Sequence, residues 1–360
     1  MIESEDERLL RRIDALENDL RNLRELVGPL VRHSWRAKFQ PKLWQFVQYE
    51  PREVKELSAA LAETPLPPHA PRIGMVTPSC NYADFLSETI MSVVTQSYPN
   101  LSYVVQDNNS IDGTAELLTD IGYRTSKLMQ EPRRLIVHTE ADSGQADAIN
   151  RGFAQVPDAE IMAYLNADDI LLPGVLAYVA RAFLKYPDVD VVYGHRIIID
   201  SDGMETGRCV LPGHDPETIK WMDYVPQETM FWRRRVWDRI GPLDDSFRFA
   251  VDWDFILRTH KAGFRFKRLP LFMGCFRVHE RQKTSAMRKI GAEEQRRSRL
   301  QHLGYEPTGK EIGRNIKGYL RRHVLFHRLY KLRLLNLDEN YQHQKSRRHA
   351  QLHVSQQRNA

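Results

Sequence analysis

From Arg72 the chain alternates two hydrophobic periods. Short runs at Ile73–Thr77, Leu101–Gln106, Arg134–His138 and Ile161–Leu165 read as strands, the first and last of them buried. After each run, apolar residues recur at helical spacing, over Phe85–Thr95, Thr114–Ile121, Ala146–Ala154 and Val175–Lys185. Alternation of this kind predicts an α/β fold, a mostly parallel sheet flanked by helices. Val189–Tyr193 and His195–Asp200 read as further strands. Asp202-Gly203 is a hairpin turn signal between Arg196–Ser201 and Met204–Arg208. Asp252–Ala262 reads as a helix that stops at Gly263.

Different patterns flank this body. In residues 1–62, Leu9, Ile13, Leu16, Leu20, Leu23, Val27 and Leu30 step by four and three. That a/d seam predicts a helical or coiled-coil arm, able to join two copies through residues 9–30 or to dock on its own domain. Trp35, Phe39, Trp44, Phe46 and Tyr49 follow and need something to pack on. Residues 63–71 form a Pro-rich linker, and a domain over 72–287 should begin just after it. Residues 288–337 pair basic with apolar positions and read as a helical extension, and 338–360 as a polar, disordered tail.

Charge sharpens the picture of that extension. The chain carries +5 overall, but residues 288–360 alone hold 17 Lys/Arg against 6 Asp/Glu. A basic amphipathic helix can lie on an anionic membrane surface, or pack its apolar face on the domain and leave its charges solvated. Aromatic residues for base stacking are few here, which disfavours nucleic acid. No apolar run approaches the roughly 18 residues of a membrane span. The acidic start does not read as a signal peptide. Three widely spaced cysteines, Cys80, Cys209 and Cys275, argue for a reducing compartment. The expected location is the cytoplasm, with contact at the inner face of the cell membrane.

Candidate chemistry centres on Asn166-Ala167-Asp168-Asp169, where an apolar run ends in two carboxylates. Carboxylates at the C-terminal end of a buried strand sit where open α/β sheets bind ligands. Adjacent carboxylates repel unless a cation or a donor compensates. Oxygen ligands suit Mg2+ or Mn2+ bridged to phosphates. The plain alternative is a helix cap. Three more loops at strand ends, Thr77–Tyr82, Asp107–Thr114 and Ala141–Asn150, are rich in Ser, Asn, Asp and Gly. Each alone makes an ordinary turn. Four in succession at one sheet edge suit a nucleotide with a cation beside its phosphates.

Val76–Tyr82, Gln106–Thr114, Asn166–Asp169, Ala250–Phe255 and Phe276–His279 resemble, in order and spacing, the motifs of glycosyltransferase family 2, over residues 72 to about 285. The resemblance is closest to bacterial enzymes of cell-surface polysaccharide pathways. It implies the Rossmann-like GT-A fold and inverting transfer of a sugar from a nucleoside diphosphate donor, UDP-sugar favoured, to a saccharide or lipid-linked saccharide acceptor. It implies Asp252 as catalytic base, and chemistry asks for one, since the acceptor hydroxyl must lose a proton as it attacks. Asp168 and His279 would hold Mn2+ or Mg2+. Thr77, Pro78, Ser79, Asp107, Asn108, Asp147, Asn166 and Ala167 fall at nucleotide contacts, and Gln227, Glu228 and Trp253 at donor sugar or acceptor. Asn166 stands where the family often has Asp, which removes one negative charge at the metal. Asn108 likewise departs from a common Asp-Asp pair at the base.

Two other readings compete. A nucleotidyltransferase would need a Gly-rich basic loop after the first strand, and Thr77–Tyr82 has neither feature. A catalytically inactive scaffold subunit would use the arm and tail for binding, but Asp168 and Asp252 are both retained. Gly304–Glu311 imitates a P-loop, yet has Glu where Ser or Thr should hold the cation. The six histidines after residue 300 lack a regular metal spacing and read as part of a solvated tail.

Overall fold

In a computed structural model, residues 41–54, 66–67, 69–282 and 288–335 are described. The heptad seam of residues 9–30, residues 63–65 and 68 of the Pro-rich linker, and residues 338–360 lie outside these. The strands are β1 Ile73–Ser79, β2 Leu101–Asp107, β3 Arg134–Thr139, β4 Ile161–Tyr164, β5 Ile170–Leu171, β6 Val191–Ile199, β7 Glu205–Cys209, β8 Phe231–Arg233 and β9 Phe266–Arg277. The helices are α1 Ala83–Val94, α2 Thr114–Thr125, α3 Gln145–Ala154, α4 Val175–Lys185, α5 Arg234–Ile240, α6 Val251–Lys261, α7 Arg288–Leu303 and α8 Gly309–Lys331.

All nine strands form one sheet, in the order β3-β2-β1-β4-β8-β6-β9-β5, with β7 on β6. β1 is parallel to β2 on one side and to β4 on the other, with Ile73 level with Leu101 and Ile161. The order therefore reverses direction at β1, and ligands bind outside the carboxyl ends of the strands at such a switch point. One apolar cluster joins Leu86, Ile90 and Val93 of α1 to Val175, Leu176 and Val179 of α4. A second, on the other face, joins Ile149 and Phe153 of α3 to Trp232 of β8 and Phe255 of α6. These four helices thus bury their apolar residues against the sheet.

Three departures from the sequence reading bear on the site. The two strands expected at Val189–Tyr193 and His195–Asp200 are one, β6, with a register shift on either side of His195. Gly194 permits this, because a Cβ there would meet Met273 at 2.5 Å and the Leu271 carbonyl at 2.7 Å. Beyond it, β9 runs parallel to β6 and delivers Phe276 and Arg277 to the sheet edge.

The extension is two helices, not one. Gly304 has positive φ, and Thr308 opens α8 by accepting from the Glu311 N–H at 3.2 Å. The apolar side of α8 packs on the body: Tyr319 is buried on Tyr224, with ring centroids 4.3 Å apart, and Ile316 and Leu320 join the second cluster. His323 and His327 do not belong to a solvated tail but are buried, and burial pushes His323 down to about 4 and His327 to about 3. They are neutral packing residues at ordinary pH. No helix among the described residues is long and apolar enough to cross a membrane.

Candidate active site

Two cavities open at the switch point and share Gln145, Asn166 and Phe276 as their common wall. The first, about 290 Å3, lies over the end of β1, between Pro78, Ser79, Tyr82, Asn108, Asp142 and Asp168. The second, about 280 Å3, holds Asp169, Arg196, Asp223, Glu228 and Asp252.

The loop after β4 is fixed by its backbone. Thr89 Oγ1 of α1 lies 2.9 Å from the Ala167 carbonyl and 2.8 Å from that of Asp169. Arg277, fully buried at the end of β9, donates from Nε to the Asp168 carbonyl at 2.9 Å and from its N–H to Asp169 Oδ1 at 3.0 Å. Its guanidinium also reaches Glu88 and the Ser201 carbonyl. The two neighbouring carboxylates consequently part ways. Asp169 turns inward, and burial, then the Asp168 charge, push its carboxyl well above the usual range. Asp168 turns to the first cavity, where Oδ2 lies 3.0 Å from His279 Nε2.

That pair is one carboxylate and one imidazole, a donor set that accepts a divalent cation whose other ligands are phosphate oxygens and water. Among the described residues no third His, Cys, Asp or Glu joins it. Ser79 Oγ is buried in the same cavity without a hydrogen-bond partner among the described residues, a polar atom placed for a ligand.

In the second cavity, Asp252 sits in the first turn of α6 and accepts from the Trp253 N–H at 2.8 Å. Burial raises its carboxyl, and the nearby Glu228 charge adds to this against Arg196. Asp223 shares the cavity; burial, then the Asp252 charge, raise it well above the usual range. Arg196 grips Glu228 through two bonds of 2.8 and 2.6 Å and lies over the Phe276 ring at 4.5 Å. Glu294 of α7 accepts from the Arg248, Phe249 and Ala250 N–H groups at 2.8, 2.7 and 2.9 Å, fixing the turn that leads into Asp252.

Pro78, Ser79, Asn108, Asn166, Ala167 and Asp168 line the first cavity, and Asn166, Gln227, Glu228, Asp252 and Trp253 the second. His279 adjoins the first through Asp168. Asn166 bridges the two: its Oδ1 accepts from Gln145 at 2.6 Å, and its Nδ2 faces Gln227 Oε1 at 3.2 Å. Three candidates lie outside both walls. Thr77 is buried against the Tyr103 hydroxyl at 2.8 Å. Asp107 accepts from Ser110, and Asp147 is paired with Arg151 on the surface of α3. Trp253 is only 1% exposed, its Nε1 spent on the Ile219 carbonyl at 3.0 Å, so it forms floor rather than contact. Arg196, Asp223, Arg277 and Glu294 were not singled out from the sequence. Asp254, two residues on from Asp252, is paired with Arg258 at 2.8 Å.

Residues 75–243 match the family model described as Glycosyl transferase family 2. An O-antigen biosynthesis protein of Myxococcus xanthus is 30% identical over 213 residues, which are 59% of this chain and 16% of that protein. The chain thus spans a small part of that relative's length. A PGL/p-HBAD biosynthesis glycosyltransferase of Mycobacterium bovis is 28% identical over 190 residues, 52% of this chain and 70% of that protein. Among solved structures, S. aureus TarS in complex with UDP-GlcNAc superposes with a TM-score of 0.51 at 17% identity, covering 71% of this chain and 73% of that one. The matched stretch carries β1, β4 and the loops that build most of the first cavity; there the chain is similar to glycosyl transferase family 2, and it has the GT-A fold.

Proposed function

We propose that the chain transfers a sugar from a nucleoside diphosphate-sugar to an acceptor hydroxyl, with inversion at the anomeric carbon. The supporting observation is the pair of cavities meeting at Gln145, Asn166 and Phe276, one bearing Asp168 and the other Asp252. The nucleoside diphosphate occupies the first, under Pro78 and Ser79. The donor sugar lies at the shared wall, and the acceptor enters the second. The acceptor hydroxyl gives its proton to the Asp252 carboxylate as its oxygen bonds to the anomeric carbon. On the opposite side the bond from that carbon to the diphosphate oxygen breaks, and the nucleoside diphosphate leaves. Mn2+ or Mg2+ held by Asp168 and His279 would neutralise charge on that leaving group. The relatives' names favour cell-surface polysaccharide or glycolipid assembly, with a saccharide or lipid-linked saccharide as acceptor. UDP-sugars are the favoured donors.

A thermal-shift and donor-hydrolysis screen with UDP-, GDP- and dTDP-sugars, with and without Mn2+, tests the reading. At least one donor is expected to raise Tm by mass action and to release its nucleotide. No shift and no release with any of them would refute it.

The outward face of α8 carries Lys310, Arg314, Lys317 and Arg321, all exposed, while Ile316, Tyr319 and Leu320 are used on the body. Contact with an anionic membrane would therefore be electrostatic rather than insertive, on the order of 1 kcal/mol per cation near the surface and screened by salt. The protein is expected to sediment with anionic vesicles at low salt and to leave them at high salt. Equal binding to neutral vesicles, or no binding, would contradict this.

A further inference from the structure

The first cavity is built mostly within the family-matched residues 75–243, whereas the second is completed from outside them. Leu43, Trp44 and Phe46 come from the segment before the linker, Phe249 from the turn before α6, Asp252 from its first turn, and Gln295 from α7. We infer that the segment at residues 41–46 forms half of a saccharide-binding subsite, with Trp44 as the platform on which a neutral pyranose ring of the acceptor stacks. This rests on the transferase reading above.

The segment is anchored on both sides of Trp44. The Lys42 N–H donates to His323 Nε2 at 3.1 Å, and Leu43 is buried. The Gln48 N–H donates to the Thr206 carbonyl at 2.8 Å, Gln48 Nε2 to that of Arg208 at 3.0 Å, and Arg52 pairs with Glu205 at 2.6 Å. Phe46 packs on Phe276, ring centroids 5.6 Å apart, which joins the segment to the wall between the cavities. Trp44 stands in this fixed run with 53% of its surface exposed, yet lines the cavity that holds Asp252.

A single exposed aromatic residue needs no explanation by itself. One held beside a cavity lined with carboxylates does suggest a ligand with an apolar face and a polar rim. A pyranose has that form: axial C–H bonds on one face and hydroxyls around the edge. The ring face suits Trp44, Asp223 can accept from rim hydroxyls, and the attacking hydroxyl meets Asp252. Charge narrows the class. Among the described residues Arg196 is the one cation on this wall, and Glu228 already engages it, so a ring bearing phosphate or carboxylate would find no cation of its own beside Asp252.

The test is NMR saturation transfer and titration of the full chain, loaded with UDP and Mn2+, against methyl glycosides of glucose, galactose, mannose and rhamnose, with methyl glucuronide as the anionic arm. At least one neutral glycoside is expected to bind, and the glucuronide not. Trp44→Ala should weaken that binding by roughly tenfold, and Trp44→Phe should restore most of it. The UDP-induced thermal shift should be equal in both variants, since Trp44 lies outside the first cavity. Wild-type affinity in Trp44→Ala, preference for the glucuronide, or no glycoside binding to a wild-type protein that still binds UDP would each overturn the subsite. Loss of UDP binding in the wild type would instead count against the transferase reading.

Discussion

Asp252→Asn is expected to bind donor nucleotide as the parent does and to lose transfer by roughly 100- to 10,000-fold, the span of a missing general base. The substitution keeps an Oδ1 that can accept from the Trp253 N–H, so the first turn of α6 keeps its local bond. Stability should not fall. Burial raises the carboxyls of Asp252 and Asp223, so the folded state holds their protons longer than the unfolded chain does. The stability they contribute is present at low pH and lost as pH rises through the folded values, and a neutral amide avoids that loss. The same shift sets the pH profile. Base catalysis needs the carboxylate, so kcat/KM should fall on the acid side at a pH displaced upward from the ordinary carboxylate range. Asp223→Asn removes a like charge and should move that limb to lower pH. Product NMR should show the inverted anomer; retained configuration, or near-parental transfer by Asp252→Asn, would rule out the role.

The sheet around β1 and β4 was legible because each strand there is a short apolar run with a helix of clear period behind it. Burial on both faces leaves such strands little compositional freedom. β9 was not, since Lys267, Arg268, Pro270 and Gly274 break any alternation, and its place is set by pairing with β6. Gly194 read as a break between strands, whereas it marks the close approach of Met273. The motif residues of the site sit at strand ends, helix starts and the turns between them, and could be located one by one. Glu294 acts on the Arg248–Ala250 turn and Arg277, although inside the Phe276–His279 motif, on the loop after β4; both partners are far along the chain, and the sequence does not show the pairings. Thr77 shows the opposite limit. The sequence puts it at the start of a loop, but β1 runs on to Ser79, and the Thr77 side chain is turned to Tyr103.

The second large effect is expected at Asp168. Asp168→Ala should lower turnover by roughly 100-fold or more, as for loss of an electrostatic stabiliser at a leaving group. The change can be read chemically because the loop does not depend on that side chain. Its backbone is held by Thr89 on the Ala167 and Asp169 carbonyls and by Arg277 on the Asp168 carbonyl, and all of these bonds survive in alanine. His279 would lose its carboxylate partner but keep its packing against Phe85, ring centroids 4.6 Å apart. A structural lesion would lower Tm with or without ligand. A lost cation ligand would instead remove the additional thermal shift that Mn2+ gives in the presence of UDP, and would leave the unliganded Tm near the parent's. EDTA should reproduce the activity loss in the parent and add little to the variant. Asp169 cannot stand in, because its carboxyl is buried and accepts from the Arg277 N–H. Full parental turnover in excess EDTA would remove the cation from the mechanism.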